Sequence, residues 1–496
     1  MLGKHDVSLH KLHQGEKLYQ TYKGKYNLPP LNLDVLLQIL CGKTSRTLAM
    51  DNEEIRCKLW EEFEALHTYT LYYLAQVHKS VDELDLAASY CEKTLVRQLE
   101  SGVYDAVEWS NNCATLSQYY FGEGARRAQG DENFAQARHC LAAAEAVIGD
   151  AENKATGDPK KTEDADFMER LQGCKADVAR CWARYAICLL EASMEQFASS
   201  DSYSSITIQQ PATNSPSESL DHSLSELKLI FNPPGISLGN LENQISCHYA
   251  RNFDEARHIF KRAQRWLDEA KQFYSLNEHA SNHVELVQEN SRLYRALIGF
   301  ESDTDRKCRM HKRRLDANEE LRGQLSRQHY LNACRQLLYE YGEICNEMVS
   351  LKMEKLDAKT ESDPQTSPTV PTPHQVQKIN HLASQGIRAF QEFLDTYRNP
   401  SETASSSVDP KFPSETLRPA LLCYFYTARL WNKMLTADPR HKLEFLGRSL
   451  EEYRQFVSYC EGNEEAKERV REEYEACKEM VTLLPLKMSR IRENLI

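Results

Sequence analysis

The sequence lacks any apolar stretch long enough to cross a membrane. VLLQILC, residues 35–41, is among its longest apolar runs, far below the roughly 20 apolar residues of a membrane-spanning helix. The first ten residues, MLGKHDVSLH, hold no apolar core for a signal peptide. We therefore expect a protein that does not insert into membranes and that works in the cytosol or nucleus.

An excess of positive charge is also missing. The chain has 61 Lys and Arg against 73 Asp and Glu, a net charge of −12. Nucleic-acid binders need clustered cations, so we expect no nucleic-acid partner. The densest basic run is RKCRMHKRR, residues 306–314, which could bind nucleic acid or serve as a nuclear import signal. We interpret it as a charged helix face with Cys308 and Met310 turned inward, because it lacks aromatic residues for base stacking.

No CxxC pair occurs among the fifteen cysteines. The odd number and the even scatter indicate reduced thiols rather than a disulfide framework. Cys174, Cys181 and Cys188 are spaced by seven, which places them along one stripe of a helix. We expect this stripe to be core packing, because buried cysteine behaves as a small hydrophobe.

Motifs for catalysis are incomplete or absent. GKTS, residues 42–45, is only the tail of a phosphate-binding loop, since Leu37 stands where the loop needs a glycine. His279 and His283 have the spacing of a zinc helix, but Ala280 replaces the required glutamate. There is no GxSxG and no Rossmann glycine fingerprint. We expect no enzymatic activity, no metal and no cofactor.

Proline is nearly absent outside three stretches. Residues 198–240, 359–374 and 399–419 hold four prolines each, out of 17 in the chain. The first two are rich in Ser, Thr and Pro and almost free of large apolar residues, so we predict disordered loops there. The predicted segments are a partly helical N-terminal segment (1–60), an N-terminal helical lobe (61–197), a loop (198–240), a linker helix with central repeats (241–358), a second loop (359–374) and a C-terminal helical lobe (375–496).

Between these loops the composition favours helix, because Ala, Leu, Glu, Arg and Gln are abundant. No sustained alternation of period two occurs, so we predict an all-α protein. Apolar and small residues recur at spacings of 0, 3, 7 and 10. The copies are Leu84, Ala87, Cys91, Thr94; Phe134, Ala137, Leu141, Ala144; Phe253, Ala256, Phe260, Ala263; and Leu446, Ser449, Tyr453, Phe456.

These spacings lie on one helix face and are typical of the second helix of a tetratricopeptide-type pair. The first helix of one pair is indicated by Leu71, Leu74, Ala75 and His78. Such pairs bury their apolar faces by stacking on neighbouring pairs. The alternative that periodicity leaves open is a generic amphipathic helix bundle.

Several long stretches resemble one known family. They include LYYLAQVHKSVDELDLAASYCEKTLVRQLE (71–100), EWSNNCATLSQYY (108–120), FDEARHIF (253–260), ARLWNKMLTADPR (428–440) and KEMVTLLPLKM (478–488). On these residues the chain is similar to the kinesin-binding protein family, also called KIF-binding proteins. The resemblance spans roughly residues 61–490. The family carries further helical repeats before this region, so the chain resembles an N-terminally shortened member.

The resemblance implies a right-handed α-solenoid of irregular tetratricopeptide-like helix pairs in two lobes. It implies a non-enzymatic function, in which the chain binds kinesin motor domains at their microtubule-binding surface and keeps them off the track. Roles in transport, cytoskeletal organisation and neuronal development are implied too, with a location in the cytoplasm and on the cytoskeleton. We expect a monomer, whose net charge of −12 suits a basic partner surface.

The resemblance also implies where the motor would bind. Carried over residue by residue, the contacts are Tyr73, Gln76, Gln98 and Thr115. Tyr73 and Gln76 are i,i+3 neighbours on one helix face, and tyrosine is a frequent interface anchor. The alternative for this pair is a tyrosine buried between helices and a glutamine satisfied by backbone.

Two other functions remain as alternatives. A tetratricopeptide co-chaperone or adaptor would bind a peptide in its concave groove, with Lys, Arg and Asn holding a terminal carboxylate. Asn111 and Asn112 lie near the LYYLAQVH helix, but that helix face has no cation. An enzyme subunit built on paired helices would need a partner chain or a metal, and the sequence shows no ligand cluster.

Overall fold

The computed structural model describes residues 2–41, 43, 52–122, 131–157, 164–204, 230–361, 371–398 and 412–493. Within these ranges every regular element is a helix, and no strand is present. This confirms the predicted all-α class. Residues 205–229 and 362–370, which belong to the two predicted loops, lie outside the described ranges. The chain divides into two compact units, Met1–His279 and Ala280–Ile496.

The first unit is built from nine helices within the described ranges. They are α1 (Leu2–Lys25), α2 (Leu33–Leu40), α3 (Glu53–Ser80), α4 (Leu84–Ser101), α5 (Ala106–Phe121), α6 (Asp131–Thr156), α7 (Ala165–Ser204), α8 (Gly239–Glu242) and α9 (Phe253–Phe273). Helix α3 packs on α4, α5 on α6, and α7 on α9, while α5 also contacts α4 and α7. Pairs of consecutive helices therefore stack in sequence order, as expected of an α-solenoid.

Small residues let the helices of the first unit approach closely. On α6, Phe134, Ala137, Leu141 and Ala144 are all buried, so the predicted four-position pattern is the packed face of this helix. Helix propensity alone does not determine which face of α6 is buried, because alanine favours a helix equally well on an exposed face. The pattern therefore reports tertiary packing rather than local helix formation.

Residues 230–250, which we call the strap, cross the first unit between α7 and α9. Residues 198–240 were predicted to form a disordered loop, but α7 extends to Ser204, and within the described residues 230–240 Phe231, Pro233 and Leu238 are buried. Phe231 is 2% exposed and meets the Trp109 ring edge-on at 5.8 Å. A few buried apolar residues therefore anchor this part of a Ser- and Pro-rich segment to the helices.

The second unit continues with eight helices in the described ranges. They are α10 (Ala280–Gly299), α11 (Thr304–Gln324), α12 (Leu331–Glu361), α13 (Pro373–Asp395), α14 (Ser414–Lys433), α15 (Pro439–Glu461), α16 (Glu464–Arg469) and α17 (Arg471–Glu493). Each helix from α10 to α15 packs on the next, and α15 packs on α17. Thr372 forms a capping box with Gln375 at the start of α13, which ends the predicted loop 359–374 before Pro373.

The basic run 306–314 lies along α11, and part of it is a structural charge cluster. Arg314 is 5% exposed, and its guanidinium donates to the Ser291 hydroxyl at 2.9 Å and to the Glu347 carboxylate at 3.0 Å. The predicted inward residues, Cys308 and Met310, are only half-buried. The buried residue of this run is instead Arg314, which is paired with Glu347.

The predicted cysteine stripe belongs to the core of α7. Cys174 and Cys181 are buried and Cys188 is half-buried, and none of the fifteen cysteines forms a disulfide. Burial raises the pKa of the Cys174 thiol to about 12, which keeps it protonated and unreactive at neutral pH.

A very close helix contact in the second unit involves Gly342 of α12. A Cβ atom at this position would lie 2.5 Å from the Phe390 ring of α13. We expect Gly342→Ala to destabilise the protein by about 1–3 kcal/mol, because the buried ring cannot retreat within a packed core. The measurement is the thermal unfolding midpoint followed by circular dichroism.

The matched control is Gly323→Ala on α11, where an added Cβ meets nothing within 4 Å. We expect it to be neutral or to stabilise by up to about 1 kcal/mol through helix propensity. A Gly342→Ala protein as stable as the Gly323→Ala protein would contradict the packing described here.

Candidate functional site

Helix α3 carries two of the four predicted contact residues on its exposed face. The side chain of Tyr73 is 54% exposed, and Gln76 is exposed as well. Leu66 and Tyr69, at 65% and 61% exposure, precede them at helical spacing. Together Leu66, Tyr69, Tyr73 and Gln76 occupy positions i, i+3, i+7 and i+10 of one face, and we call this face the α3 stripe.

The opposite face of α3 is packed. Leu71, Leu74, Ala75 and His78 are all buried, as predicted for the first helix of a repeat pair. The structure therefore does not support the alternative that Tyr73 is buried between helices. The Tyr73 ring instead meets the neighbouring ring of Tyr72 edge-on at 5.4 Å on the surface.

Gln98 and Thr115 lie on two other helices. Thr115 is exposed on α5, and its hydroxyl donates to the backbone carbonyl of Asn111 at 2.8 Å. Gln98 of α4 is half-buried, and its side-chain oxygen is buried without a hydrogen-bond partner among the described residues. The two exposed residues of α3 thus share one surface, whereas Gln98 differs from the other three in its burial.

Leu66 and Tyr69 were not among the predicted contact residues. A signal for them was present, because the stretch ALHTYTLYYLAQ (65–76) has apolar residues on two opposite faces of one helix. In the structure one of these faces is packed and the other is exposed. An exposed row of large apolar side chains is typical of a binding surface.

A polar cluster fixes α3 against α1 and α4. The Glu64 carboxylate accepts hydrogen bonds from the Tyr19 hydroxyl at 2.5 Å, the Lys23 ammonium at 2.7 Å and the Arg97 guanidinium at 2.5 Å. Burial by itself would raise the pKa of Glu64, but the hydrogen bonds from Lys23, Tyr19 and Arg97 outweigh it and hold the pKa at about 2. A single carboxylate therefore joins three helices.

An aromatic contact reinforces this cluster. The His67 ring stacks on the Tyr19 ring with 3.6 Å between ring centroids. Burial, followed by the positive charge of Arg97, lowers the pKa of His67 to about 4. The imidazole is therefore neutral at pH 7 and packs like an apolar ring. Both contacts hold the α3 stripe on a rigid support, which reduces the entropy lost when a partner binds.

The motifs with weak chemical signals do not form sites in the described residues. His279 precedes α10 and stacks on Phe273 at 5.1 Å, so it does not share a helix with His283. No group of three or more His, Cys, Asp or Glu side chains in the described ranges could hold a metal ion. The GKTS motif lies mostly outside the described residues.

None of the described helices combines the length and apolarity needed to cross a membrane.

We expect Glu64→Gln to destabilise the protein at pH 7 by about 1–3 kcal/mol, because Lys23 and Arg97 lose a charged partner. The folded-state pKa of about 2 lies below the ordinary value of 4.5. The contribution of Glu64 is therefore complete above pH 4.5 and is lost as the pH falls from 4.5 towards 2. The measurement is the thermal unfolding midpoint at pH values between 7 and 3.

The control is Glu61→Gln, an exposed position on the same helix, which should leave both the midpoint and its pH dependence unchanged. Between pH 4.5 and 3 the wild-type midpoint should approach that of Glu64→Gln. If the two midpoints stayed equally far apart over this range, the carboxylate would not be the group that joins the helices.

The class of protein follows from these features. Sequential helix pairs, a buried small-residue face and an exposed aromatic stripe on a rigid helix are typical of helical-repeat proteins that bind other proteins. A family model described as "KIF-1 binding protein C terminal" matches residues 107–491. The chain belongs to the KIF-binding protein family.

Curated relatives agree with this assignment. The "KIF-binding protein" of Danio rerio is 35% identical, covering 97% of this chain and 72% of the relative. The protein of the same name from Xenopus tropicalis is 33% identical over 99% of this chain and 76% of the relative. The Homo sapiens protein is 32% identical, with coverages of 98% and 74%. The chain thus spans about three quarters of the length of these relatives.

Proposed function

We propose that this chain binds the motor domains of kinesins through the α3 stripe. The proposal rests on the relatives, which are named KIF-binding proteins. It also rests on one structural observation: Leu66, Tyr69 and Tyr73 are each more than half exposed on one face of a helix. Tyrosine in particular supplies large contact area at interfaces. Gln76 on the same helix, and Gln98 and Thr115 on α4 and α5, would extend the contact.

The net negative charge of the chain supports a partner that has a basic surface. The chain has a net charge of −12, and a motor that walks on acidic tubulin needs a basic face towards its track. An acidic protein that covers this face would compete with the microtubule. Opposite charges should also speed the encounter and make binding weaker at high salt.

The consequence for the cell would be the regulation of microtubule-based transport and cytoskeletal organisation, without catalysis by this chain. The chain would act as a monomer in the cytoplasm and on the cytoskeleton. A contribution to neuronal development is what the family resemblance implies. Each of these roles depends on the same event, in which a motor is held away from its track.

The test is binding of the purified chain to a panel of isolated kinesin motor domains at low and physiological salt. We expect tight binding to some motors. Tyr73→Ala/Gln76→Ala and Leu66→Ala/Tyr69→Ala should each weaken it at least about 10-fold, because central interface anchors contribute about 2 kcal/mol or more. The control is Leu483→Ala, which removes a 46% exposed leucine on α17 and should change nothing.

Circular dichroism must first show that each variant keeps its helical content. Full affinity in both stripe variants would place the contact elsewhere on the chain. Failure of the wild-type chain to bind any motor would contradict the proposed function. Tight binding to chaperone tail peptides, with none to motors, would favour the co-chaperone alternative.

A further inference from the structure

The first unit contains a second concave feature, away from the α3 stripe. A cavity of about 470 Å³ opens between α6, α7, α9 and the strap. Its volume lies within the range of small-molecule pockets. We call it the α6–α9 pocket. The proposed contact residues on α3, α4 and α5 do not line it, so the proposed function leaves this pocket unexplained.

The wall of the pocket is mainly apolar. Trp182 of α7 and Trp266 of α9 stack on one another, with ring centroids 5.0 Å apart and planes 7° apart. Ile236 and Leu241 of the strap line the same space. Such a wall can pack against the methylene groups of a long side chain.

Two of the four carboxylates that line the pocket are already neutralised. Glu152 binds the Lys175 ammonium at 2.8 Å, and Asp150 binds the Lys154 ammonium at 2.6 Å. These two ion pairs neutralise the carboxylates of Glu152 and Asp150. They leave Glu145 and Glu269 as the two lining carboxylates without an ion pair among the described residues.

Glu145 is half-buried and has no cation within ion-pair distance among the described residues. Its hydrogen-bond donor is the indole nitrogen of Trp182, at 2.8 Å. Burial raises the pKa of Glu145, while Arg262 and Lys175 lower it and the carboxylate of Glu269 raises it. Glu269 is exposed on α9. A partly buried carboxylate without a paired cation is costly, and a bound cation would remove that cost.

The strap, which includes α8 and lines this pocket with Ile236 and Leu241, is held in place by hydrogen bonds from side chains to its backbone. The imidazole of His139 on α6 accepts a hydrogen bond from the backbone N–H of Phe231 at 3.0 Å. Tyr185 of α7 donates to the backbone carbonyl of Ser246 at 3.0 Å. These are side-chain contacts to backbone, which do not depend on the sequence of the bound segment.

We propose that the α6–α9 pocket binds an arginine side chain from a basic segment of a partner protein. The guanidinium would pair with Glu145 and Glu269, and its methylene groups would pack on Trp182 and Ile236. Arginine fits better than lysine, because its planar guanidinium bridges two carboxylate groups and is less strongly hydrated.

The test uses the full chain and fluorescein-labelled octa-arginine, with octa-lysine and octa-citrulline for comparison, at physiological salt. We expect octa-arginine to bind at least about 10-fold more tightly than octa-lysine and octa-citrulline not to bind. Glu145→Gln/Glu269→Gln should weaken octa-arginine binding at least about 10-fold. Arginine in the pocket should also change the tryptophan fluorescence.

The matched control is Glu464→Gln/Glu475→Gln, which removes two exposed carboxylates of the second unit and the same net charge. It should change octa-arginine binding less than twofold. Equal loss in both double variants, or octa-lysine binding as tight as octa-arginine binding, would overturn the proposal.

The single variant Glu269→Gln covers the case in which the double variant does not fold. Glu269 has no hydrogen bond to lose among the described residues, so the variant should fold and still weaken octa-arginine binding. Unchanged binding in a folded Glu269→Gln protein would also overturn the proposal. Because no kinesin is used, this outcome is separate from the outcome of the motor-binding test.

Discussion

Close approach between neighbouring helices is the constraint on which the rest of this structure depends. A single helix pair cannot bury its apolar face, so each pair has to stack tightly on the next. Ala137 and Ala144 make this possible on α6, and Gly342 does so on α12, where the Phe390 ring occupies the space of a Cβ atom. Such contacts fix which face of each helix points inward.

The face that each helix buries determines which of its faces stays exposed. Because α3 commits His67, Leu71 and Leu74 to packing, its opposite face is left to Leu66 and Tyr73. The Glu64 cluster then holds this helix against α1 and α4. The residues that stabilise this helix are therefore separate from the residues that we propose to bind a partner.

The sequence predicted the all-α class and the repeated pairs, because alternate small and large residues at helical spacing report packing directly. It did not predict the packing of residues 230–240, since only a few apolar residues, among them Phe231 and Leu238, are buried there. Burial of Arg314 was hidden as well, because its partners Ser291 and Glu347 come from two other helices. Whether Tyr73 is exposed could not be predicted, because the sequence does not show which face of α3 is packed. The right-handed sense of the solenoid and the motor contacts stay predictions.

Hydrogen–deuterium exchange of the chain with and without a bound kinesin motor domain tests the central claim most directly. Backbone amides respond wherever the partner covers or rigidifies a helix, so the measurement locates the interface without altering a residue. The account predicts slower exchange over residues 62–80 of α3, with smaller effects on α4 and α5. Slower exchange confined to the second unit, with α3 unchanged, would contradict it.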